Sequence, residues 1–330
     1  MSEKLYAASH SHYPRIGESD AHLRLRRAYH QKDKGKITDQ EFLNIEDSYV
    51  QDIILEQESA GLDVVTDGLI RWRDSISHVL QNWKGVHING LLRFFDTNFY
   101  FRQPIVVDDV KIQDGWLQRE VQYLVSHTSK RAKFVLTGPV TLASLSKIQA
   151  SQYKDGDFCE EIARNLLSRI DSLLSLGVSQ IQIDEPYIVK DQSLLPVLKG
   201  FLGDIRKSYH DRAHVILSVH TGDIASVYSD LQDMPVDSLL LDFTYSAKLP
   251  EIIERDGSAK SLGLGLLDGR NTKLENKEDI FPILEKLLPR LPSRGNFLST
   301  STGLEYLPRD RAYNKIERLA SLVAEWNNES

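Results

Sequence analysis

The chain has 330 residues, with 40 Lys and Arg against 47 Asp and Glu, for a formal net charge of −7. That balance makes nucleic acid and anionic membranes poor default partners, while leaving room for local basic pockets. Cys159 is the single cysteine, which excludes a disulfide framework and any multi-cysteine zinc site within one chain. The opening MSEKLYAASHSHYPRIG has no apolar run of the secretory kind, and no stretch approaches the ~18–20 apolar residues of a membrane span. A soluble, cytoplasmic protein is expected.

Taken in order, residues 9–17 (SHSHYPRIG) read as a first strand that leaves polar groups at its C-terminal end. A basic helix follows and stops near Gly35. Thr38 and Glu41 then form a capping box for a helix whose Phe42, Ile45, Tyr49 and Ile53 keep helical spacing, with Gly61 as the stop. Leu62–Asp67 is the second strand. Just beyond it, Arg71, Trp72, Arg73 and Asp74 are too polar and aromatic for a plain connector.

Residues 75–130 read as an insertion containing RFFDTNFYF (Arg93–Phe101) and a short helix around Trp116–Val125. Phe134–Leu136 runs into TGPVT as the third strand, and a helix from Phe158 to Leu176 precedes QIQIDEP, the fourth. In QIQIDEP, β-branched residues alternate with polar ones until two carboxylates meet a proline, which ends the ladder. After a helix around Leu194–Tyr209, His214–His220 is the fifth strand, followed by a short helix from Asp223. Ser238–Phe243, Ser261–Leu267 and Asn296–Ser301 are the sixth, seventh and eighth strands, and an amphipathic helix from Asp310 to Trp326 closes the chain.

Eight strands alternating with helices predict the α/β class and a (β/α)8 TIM barrel, one domain over residues 1–330 with an insertion after strand 2. An open doubly wound sheet would need a glycine-rich phosphate fingerprint after its first strand, and PRIGESD is not one.

A barrel places its site at the C-terminal strand ends. Those ends read Arg15, Asp67, Thr137, Asp184/Glu185, His220, Asp242, Asp268/Arg270 and Thr302. One strand-end carboxylate alone is a capping residue. Several converging on one face suit a ligand ammonium group or a divalent cation. His220 reads equally well as a catalytic candidate and as an ordinary hydrogen-bonded histidine. Arg24, Arg26 and Arg27 on the first helix form either a solvated face or an anion site, which Arg93 could join. Asp184 and Glu185 are adjacent on a strand and point to opposite faces, so they are not expected to act on one proton together.

As a set the motifs are familiar. YPRIG, LRRA, RFFDTNFYF, LTGPVT, IQIDEP, LLDGRN and LSTSTGL occur in an order that resembles cobalamin-independent methionine synthase, and specifically its N-terminal barrel. The resemblance implies methyl transfer from a 5-methyltetrahydrofolate polyglutamate to homocysteine. In the family's C-terminal barrel a zinc held by His-x-Cys, Glu and Cys activates the thiol. Those positions fall here on His220 and Gly222, on Asp242 and on Thr302, so no metal is expected in this chain.

The resemblance further implies that Arg26 and Arg93 contact the folate tail. It also implies that Asp184 and its neighbours hold a ligand's polar end at the barrel mouth. The expectation is a folate-holding barrel acting with a separate zinc-bearing barrel. The alternatives are a stand-alone homocysteine methyltransferase without the zinc–thiolate site, or a non-catalytic ligand-binding barrel.

Overall fold

The computed structural model describes residues 4–154, 156–209 and 212–329, so the first three residues of the opening segment lie outside it. The strands in chain order are β1 (Tyr6–Ala7), β2 (Val64–Val65), β3 (Lys84–Arg93), β4 (Tyr100–Lys111), β5 (Arg131–Thr137) and β6 (Lys147–Ile148). They continue with β7 (Gln180–Asp184), β8 (His214–Val219), β9 (Ser238–Asp242), β10 (Ser261–Leu267) and β11 (Phe297–Thr300). Eight of them form one sheet in the order β1-β11-β10-β9-β8-β7-β5-β2, and its pairings are parallel. A parallel bridge between Ala8 and Val64 joins the two ends. With helices between successive strands, this is the expected (β/α)8 barrel.

The first strand differs from the sequence reading. It pairs only at Tyr6–Ala7 and the Ala8 bridge, and residues 9–17 run on as the loop at its end. The cause is local. Lys133 Nζ donates to the carbonyls of Ser9 and His10 at 2.7 Å each, and Thr66 Oγ1 donates to the Ser11 carbonyl at 2.9 Å. Side chains thus take the peptide groups that a longer strand would need for its ladder.

Strand alternation divides the core. Val215, Leu217, Leu239 and Leu241 join the large cluster beneath the helices, whereas Ile216 and Leu240 form a small one with Ala8, Val64 and Phe297. That small cluster fills the barrel interior toward the N-terminal strand ends. Gly263 makes room for it, since a Cβ there would lie 2.3 Å from the Phe297 ring. On β7 the outward residues are Ile181 and Ile183, so Gln180, Gln182 and Asp184 face the axis. The barrel interior is therefore apolar at one end and polar at the other.

Within residues 75–130, β3 and β4 form an antiparallel hairpin to which β6 adds in parallel. A helix at Gln118–His127 then leads to β5. The FDTN sequence is the hairpin turn, closed by Phe94 N–H donating to the Phe99 carbonyl at 2.8 Å. The capping box of the helix Asp39–Ser59 forms as expected: Glu41 N–H donates to Thr38 Oγ1 and Thr38 N–H to Glu41 Oε2.

The last helix, Arg309–Glu329, is tied to Asp39–Ser59 by Arg309, which is 2% exposed. Its guanidinium donates to both oxygens of Glu56, at 3.1 Å from Nε and 2.6 Å from one terminal nitrogen, and lies over the Tyr49 ring. Removing Arg309 leaves the Glu56 carboxylate, 24% exposed, without its partner and empties the space over the Tyr49 ring. Arg309→Ala is expected to lower unfolding stability by about 3 kcal/mol, read as a lower urea midpoint at unchanged denaturant slope.

Candidate functional site

The polar end of the barrel is built from a chain of hydrogen bonds. Lys133 Nζ donates to Gln182 Oε1 at 2.7 Å, and Gln182 Nε2 donates to Asp184 Oδ1 at 2.7 Å. Burial pulls Lys133 down to about 7 and pushes Asp184 up to about 7. His10 Nε2 is 2.8 Å from Ser218 Oγ, and its ring meets His220 edge-on at 4.8 Å. His220 Nδ1 is 2.7 Å from Thr221 Oγ1. Burial, and then the nearby Arg270, bring His220 down to about 3, so its imidazole stays neutral. Thr221 has φ 64°, a left-handed conformation that costs a β-branched residue strain.

Asp184, His220, Thr302 and Glu305 line an axial compartment of only about 20 Å³, room for one water. It adjoins a cleft of about 280 Å³, with His12, Ser75, Phe94 and Glu305 lining both. The cleft walls are aromatic: Trp72, Phe94, Phe99, Phe101 and Tyr306. Trp72 is fixed from behind, its Nε1 donating to Glu120 Oε2 at 2.7 Å and its ring stacked on His78 at 4.9 Å. Phe99 from the hairpin packs on Tyr306 at 4.5 Å, so the insertion forms one wall of the cleft. Arg15 and Arg73 also line it, and neither guanidinium donates a hydrogen bond to another described residue.

The residues picked out from sequence fall into three groups. Asp184 and His220 meet at the axial compartment. Asp268 and Arg270 lie beside Asp242, where Arg270 donates to Asp242 Oδ2 at 2.8 Å and to Ser301 Oγ at 3.2 Å. Asp268 Oδ1 accepts the Arg270 N–H at 2.9 Å.

The remainder line neither compartment. Glu185 turns away from the mouth: Oε1 accepts from Val140 N–H at 2.9 Å, and Oε2 from Thr141 N–H and Oγ1 at 2.7 and 2.6 Å. It caps the helix Pro139–Ser144, and a Cβ on Gly138 would sit 2.3 Å from Oε1, which is why glycine precedes the proline. Asp67, which burial pushes up to about 6, accepts the Leu69 N–H at 3.0 Å and faces Arg71 at 4.0 Å. Arg93 donates to the carbonyls of Thr97 and Asp96 and so pins the hairpin turn. Arg26 is exposed and lines neither compartment.

The donor set does not fit a zinc ion. Asp242 is occupied by Arg270, Thr221 N–H and Thr244, and a guanidinium stands where a metal would need open carboxylate. A Cβ on Gly222 would lie 2.7 Å from Val189 Cγ1, so this position has no space for a ligating side chain. Among the described residues, no group of three or more His, Cys, Asp or Glu is arranged to hold a metal ion.

Residues 84–291 match the family described as cobalamin-independent synthase, N-terminal domain. The chain belongs to that family. It is similar to the methionine synthase of Saccharolobus solfataricus, 26% identical over 307 residues, covering 92% of this chain and 89% of the relative. That of Sulfurisphaera tokodaii is 27% identical over 298 residues, covering 88% and 85%. In fold, the chain resembles the B12-independent methionine synthase of Shewanella sp. W3-18-1 in complex with selenomethionine, at a TM-score of 0.81 and 18% identity, covering 99% and 98%. It also resembles the putative vitamin-B12-independent methionine synthase of Listeria monocytogenes, at 0.75 and 17%, covering 98% and 99%. These relatives are of about the same length as this chain.

Two features of the site escaped sequence reading. Glu305 lies in a loop three residues past Thr302. Arg15 and Arg73 stood in noted motifs, but nothing in them assigned a shared cleft. Glu305 now has a specific consequence, because burial pushes its carboxyl from the ordinary 4.5 to about 7. The folded chain holds that proton where the unfolded chain has lost it, so this carboxyl destabilises the fold increasingly as pH rises from 4.5 to 7. Glu305→Gln is expected to leave Tm unchanged at pH 4 and to raise it by roughly 2–4 °C at pH 8, measured by calorimetry.

Proposed function

We propose that this chain is the folate-holding barrel of a methionine synthase, acting in the cytoplasm. A 5-methyltetrahydrofolate polyglutamate lies in the aromatic cleft with its anionic tail on Arg15 and Arg73. Arg26 is free in solvent to meet a longer tail, whereas Arg93 is committed to its own turn. A separate zinc-bearing barrel activates homocysteine as thiolate and receives the methyl group. The observation that carries this reading is the pairing of an aromatic cleft holding two uncommitted guanidiniums with a mouth unsuited to zinc. Aromatic walls stack a planar ring, and guanidiniums match carboxylates.

One observation favours a second reading. The similar methionine synthases are of about the same length, which suits a barrel that methylates homocysteine alone. The two readings part in one assay, with 5-methyltetrahydropteroyl-triglutamate and homocysteine as substrates. The first predicts methionine only when a zinc-bearing barrel of the family is added to this chain, and at a rate above that of the added barrel alone. The second predicts turnover by this chain alone that disappears in His220→Ala. Within the first reading, Arg15→Ala and Arg73→Ala should each weaken triglutamate binding about tenfold, measured by calorimetry. An unchanged affinity in both variants would remove the tail from this cleft.

A further inference from the structure

Glu305 is the acidic group of the cleft with nothing to do. Its carboxyl accepts no hydrogen bond from another described side chain, and Oε2 is buried without a partner. The nearest imidazole, His12, is 3.9 Å away and stays neutral, since burial and then Arg15 bring it down to about 3. The other carboxylate of the cleft, Asp74, is spent. Its Oδ1 accepts the N–H groups of Ile76 and Ser77, and its Oδ2 accepts Ser77 Oγ–H and Arg102 N–H. The side chain is 23% exposed, on the cleft side, and apart from its own backbone N–H the carboxyl has no donor; a buried carboxylate oxygen such as Oε2 without a partner is costly and marks a place where a ligand can supply one.

The position of Glu305 limits what that partner is. The carboxyl lies at the junction of the two compartments. The axial one, at about 20 Å³, holds no more than a water, so the donor comes from the cleft of about 280 Å³. There it is flanked by aromatic walls that offer stacking faces to a flat ring. Gly303 sets the geometry: a Cβ on it would fall 2.2 Å from Glu305 Oε2 and 2.9 Å from His12 Cβ, so the carboxyl folds back against bare backbone.

We infer that Glu305 is a specificity residue that receives the paired N–H donors of a stacked amino-substituted nitrogen heterocycle, at the inner end of the cleft. The inference rests on the folate reading and adds the orientation of the ring: its amino edge inward on Glu305, its anionic end outward on Arg15 and Arg73. Two parallel N–H···O bonds to one carboxylate fix both position and identity of the ring.

The test is calorimetric binding of three probes: tetrahydropteroyl-triglutamate, its 2-desamino analogue, and p-aminobenzoyl-triglutamate, which lacks the heterocycle. Wild-type protein is expected to prefer the 2-amino compound over the desamino one by about 10–100-fold. Glu305→Gln should abolish most of that preference while binding p-aminobenzoyl-triglutamate as before. Gly303→Ala, which leaves the carboxyl in the chain but displaces it, should reduce the preference as well. A preference retained in Glu305→Gln, or an equal loss for all three probes, overturns the inference and leaves the folate reading standing. Wild-type protein that binds none of the three overturns both.

Discussion

Lys133 brings an amine into a barrel interior that water does not reach, and three acceptors hold it there. Much of the site follows from that constraint. The amine takes the carbonyls of Ser9 and His10, which ends β1 early and leaves the following residues, 12–16, to line the cleft. Through Gln182 it also orients Asp184, so one buried amine fixes both the loop and the carboxyl group at the axis. Burial brings both Lys133 and Asp184 close to neutrality in pH, which lets the pair sit in a low-dielectric interior. The apolar plug below, built on Phe297 and the space left by Gly263, supplies the floor on which this polar layer rests.

The second constraint is the Asp242–Arg270 pair. Asp242 is fully buried, and Arg270 neutralises it while stacking over Tyr245. The positive charge that a metal would bring to this mouth is already present as a guanidinium, and Val189 fills the space beside Gly222. His220 is thereby left neutral and tied to Thr221, a hydrogen-bonding group instead of a metal ligand. The larger space at this end of the barrel is the aromatic cleft under the hairpin, not the axial compartment.

Legibility followed the range of the interactions involved. β7 to β11 were readable because apolar residues alternate or run together between glycine and proline signals, and period is a local property. The opposite orientations of Asp184 and Glu185 were readable for the same reason. β1 was not, because its length is decided by Lys133, which is 123 residues away from His10 in sequence. The basic helix divides likewise: Arg24 pairs with Asp52 and Arg27 with Asp20, contacts that no local spacing announces. Arg71–Asp74 was recognisable as unusual, yet its division of labour is tertiary. Arg71 is buried against Asp47 and Glu46, Trp72 and Arg73 face the cleft, and Asp74 caps the turn behind them. Glu305 lies in a loop, where neither period nor spacing carries information, and its significance comes from the donors it lacks.

The account turns on a barrel of this family that binds ligand without binding zinc. The most direct measurement is zinc stoichiometry after equilibration with excess zinc and homocysteine and removal of loosely bound metal, with X-ray absorption at the zinc edge. The account predicts well below one zinc per chain and no zinc–sulfur scattering. One tightly held zinc per chain, coordinated by His220 and the homocysteine sulfur, would contradict it.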